Sequence, residues 1–206
     1  MSKHDSAIIG VSDHAGWAIL VTASANGTLL DRRRVALMDE DLPPMPHHCE
    51  GQLLPLEDAV ALVERVRVAA ERHSQLALDA LATTVPGPIL GVALRHCPDN
   101  LPPTIAGRLQ DYRARNVADW VMYRRALAGA AKARGWAVHW YDARNVLQAA
   151  GEALRLGDVS AHFSRLRRSI GPPWANDHKV AMAAAVVAAT ARGRVQSLPE
   201  ASSAAR

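Results

Sequence analysis

The sequence predicts an α/β domain built on a five-stranded mixed sheet with helices on both faces. Apolar residues make up 49% of the 206 positions, enough for a packed core and too many for a disordered chain. Three short apolar runs open the chain in close succession, separated by turn residues. After them, stretches of helical periodicity alternate with two more short apolar runs, the order that a mixed sheet covered by helices requires.

The elements follow in order. Residues 7–11 (Ala-Ile-Ile-Gly-Val) read as a buried, central strand, and residues 12–16 as a turn. Residues 17–23 are a second strand. Asn26-Gly27 is a hairpin signal, because both residue types tolerate positive φ. Residues 28–38 form a third strand carrying Arg32, Arg33 and Arg34. A Pro-rich loop over residues 39–55 holds Met-Pro-His-His-Cys-Glu-Gly at its centre, and a loop of that length is expected to be functional or disordered. A helix starts at Leu56, with Glu57 and Asp58 where acids favour the helix dipole. Ala59, Val60, Val63, Val66 and Ala70 make its apolar face, and it runs on through Leu81. Pro86-Gly87-Pro88 ends it. Residues 89–94 are the fourth strand, and residues 98–103 a loop. A long helix covers residues 104–134, with a break allowed near Ala114; Gly135 closes it and residues 137–141 are the fifth strand. Helices are expected over residues 145–154, 159–167 and 177–191. The expected organisation is a disordered start over residues 1–6, one domain over 7–191 and a disordered tail over 192–206.

Composition narrows the function classes. Aromatics are only 4%, so small residues must build the core and helices must pack closely. Two cysteines, Cys49 and Cys97, are too few for a disulfide framework, and a reducing compartment follows as the default. No apolar run approaches the roughly 20 residues of a membrane helix, and the first residues lack a signal-peptide core. The expected location is cytoplasmic, with no membrane partner. Net charge is +4, and of the 24 basic residues only Lys3, Lys132 and Lys179 are lysines. Arginine suits bidentate phosphate contacts, although a GC-rich genome produces the same bias.

The element order β-β-β-α-β-α-β-α is the ribonuclease H-like topology. Within that superfamily the chain resembles the RuvC-type resolvases. The residues that carry the likeness are Ile8-Ile9-Gly10-Val11 before a polar turn, then Gly16-Trp17-Ala18-Ile19-Leu20, similar to the family's first hairpin. Residues 137–142 resemble the fifth strand, and Asp177-His178-Lys179 running into an Ala-rich stretch resembles the last helix. The resemblance implies a set of carboxylates holding two divalent ions, Mg or Mn, around a phosphoryl transfer. The acid expected on the first strand is replaced by Ser12, with Asp13 one residue later, and a one-residue shift turns a strand side chain to the other face. Residues 89–94 carry no acid, and Val180 stands where a second acid of the last helix is usual. Efficient metal-dependent cleavage of branched DNA is therefore not expected.

Polar clusters at Asp13-His14, His47-His48-Cys49-Glu50 and Asp177-His178-Lys179 make the candidate site, since the first strand and last helix meet in such a fold. Asp13 and Asp177 are the candidate metal ligands; Asp13, His14, His48, Glu50, His178 and Lys179 are the candidate catalytic residues, with the histidines as acid or base. The alternative is capping of a helix by Asn176 or Asp177 with solvated histidines. His48-Cys49 and His96-Cys97 could make a zinc site, but adjacent ligands are awkward, and a buried cysteine beside a loop histidine fits better. Arg115, Asp119 and Tyr123 share a helix face with Arg113, Arg124 and Arg125 adding charge nearby; it is either phosphate-binding or solvated with an Arg115–Asp119 pair. Arg165, Arg167 and Arg168 form another basic cluster. Of the tryptophans, Trp174 is the expected exposed one, and Trp17, Trp136 and Trp140 the expected core. No phosphate-cradling Gly-rich loop is present, which disfavours an actin-like ATPase. The expected function is hydrolysis of phosphate esters, on a small anionic substrate or nucleic acid, with a divalent ion or a His/Asp pair. The alternative is an inactive ribonuclease H-like module that binds nucleic acid or a protein partner. A homodimer is compatible with either.

Overall fold

The structure is a computed structural model and describes residues 6–196. Five strands form one sheet in the order β3-β2-β1-β4-β5. β1 (Ala7–His14), β2 (Trp17–Ser24) and β3 (Leu29–Ala36) are an antiparallel meander, and β4 (Ile89–Arg95) and β5 (Ala137–Tyr141) continue parallel to β1. This is the expected ribonuclease H-like topology, with β1 central. Helices α1 (Leu56–Thr84), α2 (Ile105–Gln110) and α3 (Tyr112–Ala133) cover one face. Helices α4 (Val146–Ala153), α5 (Val159–Ile170) and α6 (Asn176–Gln196) cover the other. Among the described residues, no helix is long and apolar enough to cross a membrane.

Strand alternation divides the core in two. Ala7, Ile9 and Val11 point to the α1–α3 face, and Ile8 joins Ala181, Met182 and Ala185 of α6 on the other. α6 lies directly on β1 because Gly10 has no side chain: a Cβ there would stand 1.8 Å from the Ala181 carbonyl oxygen. The small-residue core expected from the composition is most developed here.

Three boundaries differ from expectation. β1 runs through His14, so Ser12 and Asp13 are strand residues and not a turn; the turn is only Ala15-Gly16, with Gly16 at φ +79°. The long helix breaks at Asp111, whose carboxylate accepts from the Arg113 and Ala114 amides and so starts α3 afresh. α6 continues to Gln196, past the expected start of the tail at residue 192. The expected disorder at residues 1–5 and 197–206 falls outside the described residues.

Candidate functional site

The parallel strands diverge at their C-terminal ends, and that gap positions the site. β1 pairs with β4 from Ala7↔Ile89 to Gly10↔Ala93, whereas β4 stays paired with β5 as far as Arg95↔Tyr141. Tyr141 Oη reaches across the gap and donates to the Val11 carbonyl at 2.7 Å. Burial, aided by Asp13 and opposed by Arg95 and Arg124, pushes the Tyr141 hydroxyl up to about 12, so it remains a donor at neutral pH. Ligands of open α/β sheets bind in such a crevice beyond the strand ends.

Consecutive residues of β1 feed two separate clusters. Asp13, 2% exposed, turns toward α3. Its Oδ2 accepts from Arg124 Nε at 2.7 Å, and Arg124 Nη1 donates to the His96 carbonyl at 3.0 Å. Asp13 Oδ1 has no hydrogen-bond partner; Arg95 Nε, also unpartnered, stands 4.0 Å away. On the other face, Ser12 Oγ donates to Asp177 Oδ1 at 2.9 Å, and His14 Nε2 lies 3.1 Å from the same oxygen. The His14 ring stacks on Trp17 at 4.0 Å, and the Arg34 guanidinium lies 4.4 Å from the centroid of the Trp17 ring. His14 and Asp177 thus come together as expected from their sequence positions, but Asp13 does not join them.

The expected metal pair is therefore split by the sheet. Asp13 is held by an arginine on one face, and Asp177 by Ser12 and His14 on the other. No group of three or more His, Cys, Asp or Glu side chains among the described residues is arranged to hold a metal ion. The donors do not fit the two-ion centre that the resemblance implies, nor the zinc alternative. Cys49 is exposed and Cys97 half-buried, against the expected buried cysteine.

The loop of residues 39–55 lies on the α3 face, the same face as Asp13. Asp119, fully buried on α3, organises it by accepting from the His47 amide, the His48 amide and His47 Nδ1, at 3.0, 3.0 and 2.8 Å. Tyr123 Oη donates to the Pro44 carbonyl at 3.0 Å. Burial, then Asp119 and Glu50, hold the Tyr123 hydroxyl far above the usual phenol range. Asp119 and Tyr123 are thus interior anchors, and neither the phosphate-binding nor the solvated reading of their face holds for them. His47 Nε2, His48 Nδ1 and Glu50 Oε2 are buried without hydrogen-bond partners.

His178 and Lys179 follow Asp177 on α6 but do not share its contacts. His178 is buried against Trp174, and its Nδ1 accepts from the Ala175 amide at 3.2 Å. Burial and then Arg32 push it below the usual imidazole range, with Asp177 acting the other way. Arg32 itself donates to the Ile170, Gly171, Pro172 and Pro173 carbonyls at 2.8–3.3 Å, and so ties the entry of α6 to β3.

No protein-family model and no curated protein matches the chain. Among solved structures, it is similar to Thermus thermophilus RuvC. The structure in complex with a Holliday junction substrate superposes with a TM-score of 0.48 at 13% identity, over 92% of this chain and 96% of that one. A second Thermus thermophilus RuvC structure gives a TM-score of 0.45 at 13% identity, with the same coverage. At this level of likeness nothing about activity follows, and the ribonuclease H-like assignment stands on the strand order itself.

Sequence reasoning named Arg124 and Arg125 as charge on α3 but did not bring them to Asp13 and Arg95. Arg95, His96, Pro98, Trp120 and Arg124 line a cleft of about 240 Å³ beside Asp13. A second cleft of about 570 Å³ adjoins it at His96 and Pro98 and extends along α3 past Arg125 and Lys132 to Trp140. Arg108 is held below its usual range by burial and then by the charge of Arg125. The tryptophan expectation is reversed for two of the four: Trp140 is 41% exposed, on an edge strand, and Trp174 is 5% exposed, packed near Phe163, whereas Trp17 and Trp136 pack half-buried against the core. The sequence signal was available in Arg95-His96-Cys97 and Arg124-Arg125, but nothing local says that they meet.

Proposed function

We propose that the chain is a ribonuclease H-like module that binds the phosphodiester backbone of nucleic acid at the C-terminal ends of β1 and β4, without a two-metal cleavage centre. One observation carries this reading: the acid at the end of β1 is ion-paired with the buried Arg124 and faced by the half-exposed Arg95, so the crevice presents the Arg95 guanidinium and no free carboxylate where metal-held oxygens would be needed. A strand end that carries arginines in place of free carboxylates attracts phosphate and repels divalent cations. The adjoining clefts add Arg125 and Lys132, which extends the positive surface along α3.

The test is fluorescence anisotropy of labelled oligonucleotides with the full chain across a NaCl series. Binding should weaken steeply with salt, and Arg95→Gln should reduce the logarithmic salt slope by about 1, as expected for loss of one phosphate contact. Incubation with Mg²⁺ or Mn²⁺ should leave branched and linear DNA intact. Absence of binding at low salt, or efficient metal-dependent cleavage by the pure protein, sinks the reading.

A second reading is phosphoester hydrolysis without metal, and the His14–Asp177 contact at 3.1 Å favours it. In this reading His14 acts as the base beside the Asp177 carboxylate, and Lys179 would offset developing charge. Turnover of chromogenic phosphodiesters or monoesters that disappears in His14→Ala and falls in Asp177→Asn would move this reading ahead of the first.

A further inference from the structure

The larger cleft has three features that packing does not account for. The first is Gly129, four residues before the C-terminal end of the 22-residue helix α3. Glycine weakens a helix interior, yet a Cβ at this position would meet nothing within 4 Å, so no close approach of the protein demands it. The second is Trp140, 41% exposed, which forms another wall of the same cleft. The third is the pair Arg125 and Lys132, exposed, four residues before and three after Gly129 and hence on the same helix face. Among the described residues neither takes part in an ion pair, and Asp99 is the acid among the residues that line the cleft.

An indole wall, a bare stretch of helix and a cation on each side together fit a flat, uncharged ring with an anion before and after it. That is the chemistry of an unpaired nucleobase within a strand. Aromatic side chains stack bases regardless of sequence, but only bases whose faces are not covered by a pairing neighbour and a second strand. The adjoining smaller cleft adds a second indole, half-buried Trp120, beside Arg95 and Arg124, which both face Asp13.

We propose that the track along α3 takes single-stranded nucleic acid in preference to duplex, with one base lodged between Trp140 and Gly129 and the flanking phosphates on Arg125 and Lys132. This rests on the nucleic-acid reading above and narrows it to one strand form.

The experiment compares a labelled 12-nucleotide dT or rU strand with a blunt hairpin duplex, by anisotropy at low salt, using the full chain. The single strand should bind at least about tenfold tighter than the duplex, and Trp140→Ala should lose roughly tenfold or more, the size of one base–aromatic stack. Gly129→Leu should lose binding to a similar degree while the melting temperature holds or rises, because leucine is the better helix former and the position is open. A merely structural glycine would show the opposite. Duplex binding as tight as single-strand binding, with both variants unchanged, overturns the single-strand inference and leaves the nucleic-acid reading standing. Failure of both probes to bind the unmodified chain overturns both. Thymidine monophosphate that competes at the oligonucleotide's own affinity would make the cleft a mononucleotide pocket and overturn the strand assignment.

Discussion

Ser12 and Asp13 are neighbours on β1, and the difference of one position decides the chemistry. Because strand side chains alternate, Ser12 meets Asp177 on the α6 face and Asp13 meets Arg124 on the α3 face. The displacement of the acid was legible in the sequence; its partner, 111 residues away, was not. The Asp13–Arg124 pair is nearly inaccessible, with side chains 0% and 8% exposed. Removing one member of such a pair leaves an uncompensated buried charge, at a cost of about 3–5 kcal/mol. Arg124→Met is expected to lose that much stability in urea unfolding, and the double variant Asp13→Asn, Arg124→Met to recover part of it. A loss under about 1 kcal/mol for the single variant would show that water or Arg95 already satisfies Asp13.

At the scale of elements, the site exists because α6 and the 39–55 loop are fixed against the sheet from opposite sides. α6 can bring Asp177 to Ser12 only while it lies flat on β1, and Gly10 permits that approach. Gly10→Ala would drive a methyl group into the Ala181 carbonyl. Overpacking against backbone, which cannot yield as a side chain does, is expected to cost about 3 kcal/mol, a fall in melting temperature of roughly 6–12 °C for a domain of this size. A variant that melts within 2 °C of the parent would mean that the helix slides freely. The loop is fixed differently, by one carboxylate: Asp119 takes two consecutive amides and the His47 ring. From the sequence, Asp119 looked like half of a surface pair with Arg115. Helical spacing places both on neighbouring positions, but it does not say that a distant loop folds over one of them. Arg115 instead lies over the Tyr112 ring at 5.3 Å.

At the scale of the whole molecule, two hydrophobic clusters share one sheet. Leu127 belongs to the cluster under α1–α3 and Met182 to the one under α6, and both are 0% exposed. Every central strand contributes alternate residues to both clusters, so neither layer has a sheet of its own to keep if the other melts. Leu127→Ala and Met182→Ala are each expected to cost about 2–5 kcal/mol, within a single unfolding transition seen alike by circular dichroism and tryptophan fluorescence. Two transitions, each moved by only one of the variants, would show that the layers are independent units.

The sequence by itself determined the kind of fold. Hydrophobic period, Gly and Pro punctuation and the Asn26-Gly27 hairpin are local quantities, and they suffice for element type and order when each segment's pattern agrees with the whole. The absence of the usual acids at Ser12 and Val180 was equally local, and it put the two-metal centre in doubt while leaving Asp13 and Asp177 as candidate ligands. Tertiary structure alone decided which polar residues meet. Arg124 reaches Asp13, and Asp119 gathers His47 and His48, across separations of 111 and 71–72 residues that no spacing rule covers. Exposure of Trp140 and burial of Trp174 were settled in the same way. A tryptophan side chain fits a core or a rim equally well by composition, and only the place of β5 at the sheet edge and of Trp174 between Phe163 and His178 chose between them.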